Sequence, residues 1–538
     1  MRRVRHHRGM DRRRADGLAT IPAVLADRAR RDGARIAVTG PGGPLTYAEL
    51  AVAARRVTQA VLSRSVAPGD RVAIWAPNTA RWVIAALGVL GAGATLVPIN
   101  TRLRGPEAAD ILARSRCSML LTVTDFLGND YAGMLRKSGR ALPELRTTVK
   151  LDDTAEADDL SWPRFLAPGD KVPIAAAEAR SSSVDPESIS DILFTSGTTG
   201  VPKGVPTTHR QTIETFTRWA DAVTLSADDR YLLVNPFSQT FGYKAGIVAC
   251  LLRGATMVPM DRFDPEGVFS VIERERITVL TGPPTVFHDL LTHDRRTAHD
   301  LRSLRLAGTG GSSVPAGLVE RIRRDLAIEK LFTGYGLTES TGVATVCSPD
   351  EPAHLIADTV GKALPGRRIR VVSDSGQPMP VGAPGQIMVH GPHVMHGYLD
   401  DAEATAAVID SGGWLHTGDI GTLDADGYLR ITDRKADMFT VGGFNVYPAE
   451  IERILLAHPD IAEAAVVGVP DARLGEVGRA FIVPHGISQI EPTEIIAWAR
   501  TRIAGYKTPR RIEVVAALPR NTSGKVLKRV LRSQEAQS

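Results

Sequence analysis

At 538 residues the chain is too long for one hydrophobic core, so we expect a large lobe of several subdomains and at least one smaller domain. Hydrophobic residues make up 43% of the chain and charged residues 23%, which is typical of a globular protein and argues against a fibrous or disordered one. The net charge of +5 is uneven, since the first 14 residues hold seven Arg and one Asp, so no basic nucleic-acid-binding face is expected.

Residues 1–19 are predicted to form a basic, disordered tail. A short block of like charges is usually solvated, and this block lacks the apolar core of a signal peptide. Met10 is an alternative first residue, in which case part of the tail would not be translated.

The most membrane-like run is WVIAALGVLGAGATLVPI, residues 82–99, with 18 uncharged residues. That length approaches a membrane span, but three Gly and one Pro interrupt the run and its second half is strand-like. It therefore predicts a buried helix, a Gly-Ala-Gly turn and a strand, and no transmembrane segment.

Two stretches resemble each other: VLGAGATLVPIN, residues 89–100, and LLRGATMVPMD, residues 251–261. Each has an apolar helix end, a Gly-Ala turn and a strand that ends in Val-Pro. Strand-like segments such as RVAIWAP, SMLLTV, RYLLVNP and ITVLTGPP alternate with helical stretches, which predicts parallel sheets covered by helices. The expected fold class is α/β, with a large lobe of layered α/β subdomains over residues 20–435.

The three cysteines, Cys117, Cys250 and Cys347, are far apart and lack CxxC spacing. This pattern predicts neither a disulfide framework nor a zinc site, and it fits a reducing compartment. We therefore expect a cytoplasmic protein.

The first motif with chemical meaning is TSGTTGVPKG, residues 195–204, which follows a predicted strand. Glycines let backbone amides turn toward an anion, and hydroxyl side chains add donors, so the loop suits a polyphosphate. It is not a Walker loop, because Pro202 precedes Lys203 and Gly204 follows it. An ordinary polar turn is the alternative. The candidate phosphate-binding residues are Thr195, Ser196, Gly197, Thr198, Thr199, Gly200 and Lys203.

A second motif, FTGYGLTES, covers residues 332–340. Tyr335, between Gly334 and Gly336, offers a ring on which a purine can stack, and Thr338 offers a hydroxyl for a phosphate oxygen. Glu339 supplies the hard oxygen ligand that Mg²⁺ prefers. The alternative is a tight turn whose Glu is only exposed.

Two later segments add charged candidates. In HTGDIGTLDADGYLRITDRKADM, Asp419 can accept hydrogen bonds from ribose hydroxyls and Arg434 can donate to the sugar or a phosphate. In LPRNTSGKVLK, Lys525 follows a flexible Thr-Ser-Gly lead, so it can neutralise charge developing at a domain interface. A lysine near a C-terminus is alternatively only a surface charge.

The final hundred residues contain EAAVVGVPD, GRAFIVPHG, PTEIIAWARTRIAGY and RRIEVVAALP. They predict a compact α+β domain, residues 436–538. Few contacts are expected across the joint near residues 433–437, so this domain is predicted to be mobile.

Taken in this order, the motifs make the chain resemble the superfamily of adenylate-forming enzymes, which includes acyl-CoA synthetases, peptide-synthetase adenylation domains and luciferases. The resemblance covers residues 20–528. It implies a ligase in which a carboxylate attacks the α-phosphate of Mg-ATP, pyrophosphate leaves, and the small domain then rotates so that a thiol can attack the acyl-adenylate. With no carrier domain after Lys528, free coenzyme A is the expected acceptor.

The same resemblance implies a role for each motif residue. The loop at 195–204 grips the β- and γ-phosphates, Tyr335 stacks on adenine, Thr338 contacts the α-phosphate and Glu339 holds Mg²⁺. Asp419 and Arg434 bind the ribose side. Lys525 bridges carboxylate and phosphate in the first half-reaction, and Gly443, in VGGFNVYP, lines the pantetheine tunnel.

The acyl pocket is expected from Gln239, Phe241, Gly242, Gly310, Gly311 and Ser312. Stretches such as NPFSQTFGYKAGIVACLLRGAT resemble actinobacterial CoA ligases that activate the indanedione propanoate left from steroid rings C and D. The predicted acid is therefore a fatty or a bulky steroid-derived acid. Two positions depart from the family pattern: Gln239 stands where His is common, and Ala436 replaces the usual hinge Asp or Lys.

Two alternatives remain open at this point. A nucleotide-binding homologue with lost or altered thioesterification would fit the departures at Gln239 and Ala436. A P-loop kinase would need a different loop spacing. The partners expected are a small carboxylic acid, ATP and coenzyme A, with a homodimer left open and no nucleic acid.

Overall fold

The computed structural model describes residues 18–153, 159–195, 202–310, 314, 317–434, 437–441, 444–446, 448–471, 474–486, 491–500, 503, 505–521 and 524–533. Several predicted features lie outside these residues, namely positions 1–17 of the tail, residues 196–201 of the phosphate loop, Gly311, Ser312, Ala436 and Gly443.

The described chain contains 24 strands. In chain order they are β1 (Ile36–Val38), β2 (Leu45–Thr46), β3 (Arg71–Trp75), β4 (Thr95–Pro98), β5 (Cys117–Thr122), β6 (Thr147–Lys150), β7 (Ile189–Thr195), β8 (Lys203–Thr208), β9 (Arg230–Leu233), β10 (Thr256–Pro259), β11 (Val279–Gly282), β12 (Leu306–Gly310), β13 (Lys330–Tyr335), β14 (Thr345–Cys347), β15 (Lys362–Ala363), β16 (Arg368–Val372), β17 (Gly385–His390), β18 (Leu415–Leu423), β19 (Leu429–Arg434), β20 (Phe439–Val441), β21 (Phe444–Val446), β22 (Ile461–Asp471), β23 (Gly475–Pro484) and β24 (Arg511–Val514).

Helices cover the sheets and connect the strands. Within the described residues the α-helices are α1 (Ile21–Arg31), α2 (Tyr47–Leu62), α3 (Ala80–Gly91), α4 (Gly105–Arg114), α5 (Tyr131–Lys137), α6 (Trp162–Leu166), α7 (Ile174–Ser182), α8 (His209–Ala222), α9 (Thr240–Gly242), α10 (Ala249–Arg253), α11 (Pro265–Glu275), α12 (Pro284–Thr292), α13 (Leu318–Asp325), α14 (Ala353–Asp358), α15 (Ala402–Val408), α16 (Pro448–Leu456), α17 (Pro492–Arg500) and α18 (Lys528–Ser533). A π-helix covers Tyr243–Val248, and 3₁₀ turns cover Ala167–Lys171, Asp294–Ala298 and Thr338–Ser340.

Two largely parallel sheets form the large lobe, as predicted. One has the order β6-β5-β3-β4-β7-β8, and only β7 and β8 pair antiparallel within it. The other has the order β15-β14-β13-β12-β11-β9-β10-β1-β2, with a parallel centre from β13 to β1. Parallel strands need crossover helices, which explains the alternating pattern in the sequence.

The two similar stretches lie in different sheets, which supports the prediction of two related subdomains. The first gives α3 and β4, and the second gives α10 and β10. Between β10 and its helix, Gly254 adopts φ +75°, a left-handed conformation that ends a helix at little cost for glycine. The run at residues 82–99 is thus a helix and a buried strand, and no helix in the described chain has the length and apolarity of a membrane span.

One hydrophobic core joins the two parallel sheets. Trp82 of α3 lies with its ring centroid 5.1 Å from that of Phe237 and 6.1 Å from that of Tyr243, which begins the π-helix. Gly88 lets α3 approach α2 closely, because a Cβ there would lie 2.3 Å from Val57 Cβ. The first subdomain therefore packs directly against the segment predicted to line the acyl pocket.

Two antiparallel units follow. Strands β16 to β19 form a four-stranded meander, and the DADG stretch makes the turn between β18 and β19. The last unit is a sheet of order β21-β20-β23-β22, with β24 parallel to β23, and α16 and α17 cover a core of its own. It is the α+β unit expected from the sequence, whereas the exact domain limits at residues 435 and 436 stay a prediction.

Candidate functional site

The carboxyl ends of β12 and β13 carry the first candidate residues. Gly310 pairs with Gly334 across these parallel strands, so the predicted pocket glycine lies beside the YGLTE motif. A Cβ at Gly310 would lie 3.2 Å from Gly334 O. Ligands of parallel sheets bind at such strand ends, so the position suits a site.

Tyr335 and Asp419 form the best-defined contact in the site. The Tyr335 hydroxyl donates a 2.6 Å hydrogen bond to Asp419 Oδ2, and the two residues are 9% and 4% exposed. The Tyr335 ring packs in a hydrophobic cluster with Ala344 and Ile387, which fixes its orientation. On β18, Asp419 is paired through its backbone with Arg434 on β19. The structure thus brings the side chains of Tyr335 and Asp419 together and places the backbone of Arg434 beside them.

Glu339 lies in the 3₁₀ turn that follows β13, directly after Thr338. Its Oε1 accepts a 2.8 Å hydrogen bond from the Tyr398 hydroxyl, and its carbonyl accepts one of 2.8 Å from the Met395 amide. Within the described chain, Glu339 Oε2 accepts no hydrogen bond and no ion pair engages this half-buried carboxylate. Burial and the nearby Glu339 carboxylate raise the pKa of Tyr398, so its phenol stays a donor at neutral pH.

The phosphate-loop motif begins at the end of β7 and ends at the start of β8, and these two strands pair antiparallel. Thr195, the last residue of β7, pairs with Lys203, the first residue of β8, so the two flank residues 196–201. The Lys203 Nζ lies 4.9 Å from the centroid of the Tyr398 ring. Thr208, the last residue of β8, caps α8 with a capping box completed by Gln211, so that helix begins directly where the hairpin ends.

The predicted acyl-pocket segment begins at Gln239, which precedes the short helix α9. The Tyr243 amide donates 2.9 Å to Gln239 O, so the chain passes from α9 into the π-helix without a break. Gly242 is required here, because a Cβ would lie 2.2 Å from Pro236 O. Phe241 is partly buried against the shared core.

This segment also contacts the turn that follows the YGLTE motif. Gly342, at φ +98°, leaves no room for a side chain, because a Cβ would lie 2.1 Å from Thr240 Cγ2. The acid and nucleotide candidates therefore lie on adjoining segments.

A buried ion pair joins the pocket segment to the strand that leads into the phosphate loop. Lys244 Nζ lies 2.8 Å from Asp191 Oδ1, and both side chains are fully buried. Ser190 donates a 2.7 Å hydrogen bond to the other Asp191 oxygen. Burial lowers the pKa of Lys244, and the Asp191 charge opposes that effect. The pair ties the π-helix to β7.

Lys525 is exposed and lies on a turn of the C-terminal unit. Its amide donates 2.8 Å to Asn521 Oδ1, and its carbonyl accepts 2.8 Å from the Asn521 amide. Gly524, at φ +83°, makes this tight turn feasible.

Sequence reasoning missed Tyr398, Asp191 and Lys244. Tyr398 stands in MHGYLDD, with no local pattern that relates it to Glu339, 59 positions earlier. Lys244 precedes the apolar run AGIVACLL, and a charged residue next to such a run indicates that its side chain needs a buried partner.

Two family models match the chain. The model described as AMP-binding enzyme matches residues 25–399, and the model described as AMP-binding enzyme C-terminal domain matches residues 450–525. The matches therefore cover the TSGTTGVPKG and YGLTE motifs and Lys525, whereas Asp419 and Arg434 lie between the two matched ranges.

Similar proteins extend over almost the whole chain. A 7a-methyl-1,5-dioxo-octahydro-indenyl propanoyl:CoA ligase of Mycobacterium tuberculosis is 47% identical over 515 residues, which are 96% of this chain and 99% of that protein. A ligase of the same name from Rhodococcus jostii is 45% identical over 520 residues, with 96% and 99% covered. A feruloyl-CoA synthase from Amycolatopsis is 37% identical, again with 96% and 99% covered.

Solved structures support the same relationship. The anthranilate CoA ligase AuaEII, in complex with anthranoyl-AMP, has a TM-score of 0.87 at 28% identity, covering 96% of this chain and 97% of that one. ATP-bound MatB from Rhodopseudomonas palustris has a TM-score of 0.82 at 27% identity, with 96% and 99% covered.

Proposed function

Because the chain belongs to the AMP-binding enzyme family and is an ATP-dependent acid:CoA ligase, we propose that its acid is a bulky alicyclic propanoate, the steroid-derived indanedione propanoate. The observation that carries this proposal is the 45% and 47% identity to two ligases named for that acid, over nearly the full chain. Feruloyl-CoA synthases, at 37% identity, are less similar.

The reaction has two steps. An oxygen of the acid attacks the α-phosphorus of ATP, the bond to pyrophosphate breaks, and an acyl-adenylate forms. The sulfur of coenzyme A then attacks the acyl carbonyl and loses its proton, and AMP leaves with the electrons of the acyl–oxygen bond. Because phosphoryl-type centres need little covalent help, the protein contributes mainly position and charge.

Tyr335, Asp419 and Arg434 hold the nucleoside in this proposal. The Tyr335 ring, fixed in its hydrophobic cluster, offers a flat surface for adenine, and the Asp419 carboxylate accepts from the ribose hydroxyls. The Tyr335 hydroxyl holds Asp419 in one orientation. Arg434, opposite Asp419 on the neighbouring strand, adds a donor on the ribose side.

Glu339 holds Mg²⁺, which supplies positive charge to the phosphate oxygens when bound. The donor set fits this ion, because Mg²⁺ commonly takes one or two carboxylates and fills its remaining positions with phosphate and water oxygens. In the described residues no group of three or more His, Cys, Asp or Glu side chains could hold a metal, so Glu339 would act with substrate oxygens. Glu339 Oε2 accepts no bond from the described chain and is available for this role.

The phosphates lie at the β7–β8 hairpin. Thr195 and Lys203 flank the loop, and the hydroxyls and glycines of residues 196–200 suit the β- and γ-phosphates. Thr338, next to Glu339, contacts the α-phosphate. Lys203 supplies a point charge to the departing pyrophosphate.

Lys525 bridges the acid and the α-phosphate in the first step. Its exposed position on a tight turn suits a residue that enters with the small domain, residues 436–538, and leaves when that domain rotates. Gly443 would then line the path of the pantetheine arm in the second step.

The acid lies between Gly310 and the segment from Gln239 to Gly242, and the sequence adds Gly311 and Ser312, which lie outside the described residues, as further candidates. Gly342 and Thr240 adjoin, so an acid bound there has its carboxylate near the YGLTE turn. The small residues at these positions leave space for fused rings.

We further propose a cytoplasmic enzyme, since ATP and coenzyme A are both required. The three cysteines are buried thiols, which supports a reducing compartment. A homodimer stays a prediction, and light scattering of the purified protein tests it.

The test is an AMP-release assay over a panel of acids, each with and without coenzyme A. We expect kcat/KM for the indanedione propanoate to exceed that for ferulate and for a medium-chain fatty acid by at least about tenfold, the discrimination that a few apolar pocket contacts provide. Mass spectrometry must find the acyl-CoA thioester. A higher kcat/KM for ferulate or a fatty acid would contradict the proposed substrate but leave the ligase reaction intact.

A further inference from the structure

A short segment, residues 395–399, bridges the two parts of the proposed ATP site. At one end the Met395 amide donates 2.8 Å to Glu339 O. At the other end the Leu399 amide donates 2.8 Å to Gly204 O, next to Lys203. This bridging segment therefore holds the metal-ligand turn and the phosphate hairpin at a fixed separation.

Tyr398 lies within the bridging segment and contacts both charged candidates. Its hydroxyl donates 2.8 Å to Glu339 Oε1, and the Lys203 Nζ lies 4.9 Å from its ring centroid. A cation over an aromatic face is attracted by the ring quadrupole. Tyr398 thus contacts the lysine at its ring and the carboxylate at its hydroxyl.

Helix α15 also holds the backbone of Tyr398 in place. Its amide donates 2.9 Å to Thr405 Oγ1 in α15. At Gly397 a Cβ would lie 2.9 Å from the same Thr405 side chain, so the approach of the segment to α15 needs glycine. The phenol is therefore held in place independently of any ligand.

We propose that Tyr398 is a positioning residue that sets Glu339 for Mg²⁺ and keeps Lys203 directed at the phosphates, an inference that rests on the proposed function. Its hydroxyl occupies Oε1 and directs Oε2 toward the metal.

Hydrogen-bond partners of metal ligands typically change metal affinity about 10-fold to 100-fold when they are removed. For Tyr398→Phe, which keeps the ring and loses the hydroxyl, we expect the Mg²⁺ concentration for half-maximal rate to rise about tenfold. The kcat at saturating Mg²⁺ stays close to that of the wild type, because the metal site still forms.

The chain contains a matched control. The Tyr428 hydroxyl donates 2.7 Å to Glu351 Oε2, and the Lys362 Nζ lies 4.2 Å from the Tyr428 ring centroid. These are the same three residue types in a similar arrangement, and none of them belongs to the proposed site. Tyr428→Phe therefore removes an equivalent hydrogen bond and leaves the Mg²⁺ dependence unchanged.

Binding provides a second readout that needs no turnover. The affinity for a non-hydrolysable ATP analogue is measured by calorimetry over a range of Mg²⁺ concentrations, for the wild type and both Phe variants. We expect Tyr398→Phe alone to need more Mg²⁺ for tight binding. If no acid is turned over, the proposed function fails, and the binding curves still decide the role of Tyr398.

A double-mutant cycle with Glu339→Gln tests whether Tyr398 acts through Glu339. The Phe substitution is expected to have no further effect on the Mg²⁺ dependence once Glu339 is changed. Equal Mg²⁺ curves for Tyr398→Phe and Tyr428→Phe, or an undiminished effect in the Glu339→Gln background, would overturn the proposal. Thermal unfolding of each variant confirms that the fold is retained.

Discussion

Tyr335 and Asp419 are 84 positions apart, yet the tyrosine hydroxyl donates a 2.6 Å hydrogen bond to the aspartate in a buried site. The contact joins the end of β13 in the nine-stranded sheet to β18 in the four-stranded meander. It therefore links the residue proposed to contact adenine with the residue proposed to hold the ribose.

Replacing Tyr335 with Phe is expected to weaken ATP binding. The ring remains, but Asp419 loses a donor that orients it, and a hydrogen bond to a charged group contributes about 1.5–3 kcal/mol. We therefore expect the KM for ATP to rise about tenfold while kcat changes little.

Tyr231→Phe is the control, because it removes the buried 2.6 Å contact between Tyr231 on β9 and Thr281 on β11 and leaves Asp419 unchanged. A KM for ATP that rises equally in both variants would contradict the assignment.

Lys525→Ala separates the two half-reactions. If Lys525 neutralises charge between the acid and the α-phosphate, its loss is expected to lower acid-dependent pyrophosphate–ATP exchange about 10²-fold to 10³-fold. Transfer of a supplied acyl-adenylate to coenzyme A is expected to continue.

Lys528→Ala is the matched control, since Lys528 is three residues further on and pairs with Glu452 at 2.8 Å. Loss of exchange in both lysine variants would indicate damage to the C-terminal unit, whereas unchanged exchange in Lys525→Ala would remove Lys525 from the first half-reaction.

The sequence predicted the strands far better than the contacts between the elements. Segments such as RVAIWAP are apolar and bounded by turn residues, so their strand character is local. Glu339 and Lys203 were each identified by their motifs, because residue type and spacing suffice for that. The Tyr398 ring between them was not predicted, because its contacts depend on how residues 395–399 cross from one turn to another.

The Lys244–Asp191 pair shows the same limit. Nothing near Asp191 or Lys244 in the chain identifies the other residue as its partner. The need for a partner arises only when packing removes both charges from water, so the pair can be recognised only in the folded structure.

Lys244→Met is expected to destabilise the large lobe strongly. Removing one partner of a buried ion pair leaves the other charge unpaired and typically costs about 3–5 kcal/mol. The double variant Lys244→Met, Asp191→Leu is expected to recover part of that loss, since no buried charge remains. Midpoints of urea unfolding for the two single variants and the double variant measure this coupling, and additive shifts would contradict it.

Acid is expected to destabilise the protein through His209, the first residue of α8. Burial lowers the pKa of His209 to about 4, and its Nδ1 accepts a 3.3 Å hydrogen bond from the Ile21 amide. The unfolded chain therefore binds this proton at a higher pH than the folded chain, so stability is present above about pH 6.5 and is lost as the pH falls toward 4. The loss from this residue is about 3 kcal/mol.

The measurement is the unfolding midpoint between pH 7.5 and pH 4.5 for the wild type and for His209→Asn, whose side-chain oxygen can replace Nδ1 as acceptor. We expect a shallower pH dependence in the variant. His393 also has a pKa lowered by burial, to about 2, so part of the acid sensitivity is expected to remain. Identical slopes in both proteins would contradict the role of His209.

Gly242→Ala tests where the acid binds. A Cβ at this position would lie 2.2 Å from Pro236 O and 2.4 Å from Asn235 O, both backbone atoms, so the turn that carries Gln239 and Phe241 must shift. A displacement of about 1 Å near a bound substrate can cost on the order of 10²-fold in rate. We therefore expect kcat/KM for the acid to fall by about that factor. The affinity for ATP, measured by calorimetry, is expected to stay within about twofold, because Tyr335 and Asp419 lie on separate elements.

Gly42→Ala, with nothing within 4 Å of the added Cβ, is the control. If ATP affinity falls in parallel with acid turnover, the segment from Gln239 to Gly242 supports the whole site, and its assignment to the acid alone is wrong.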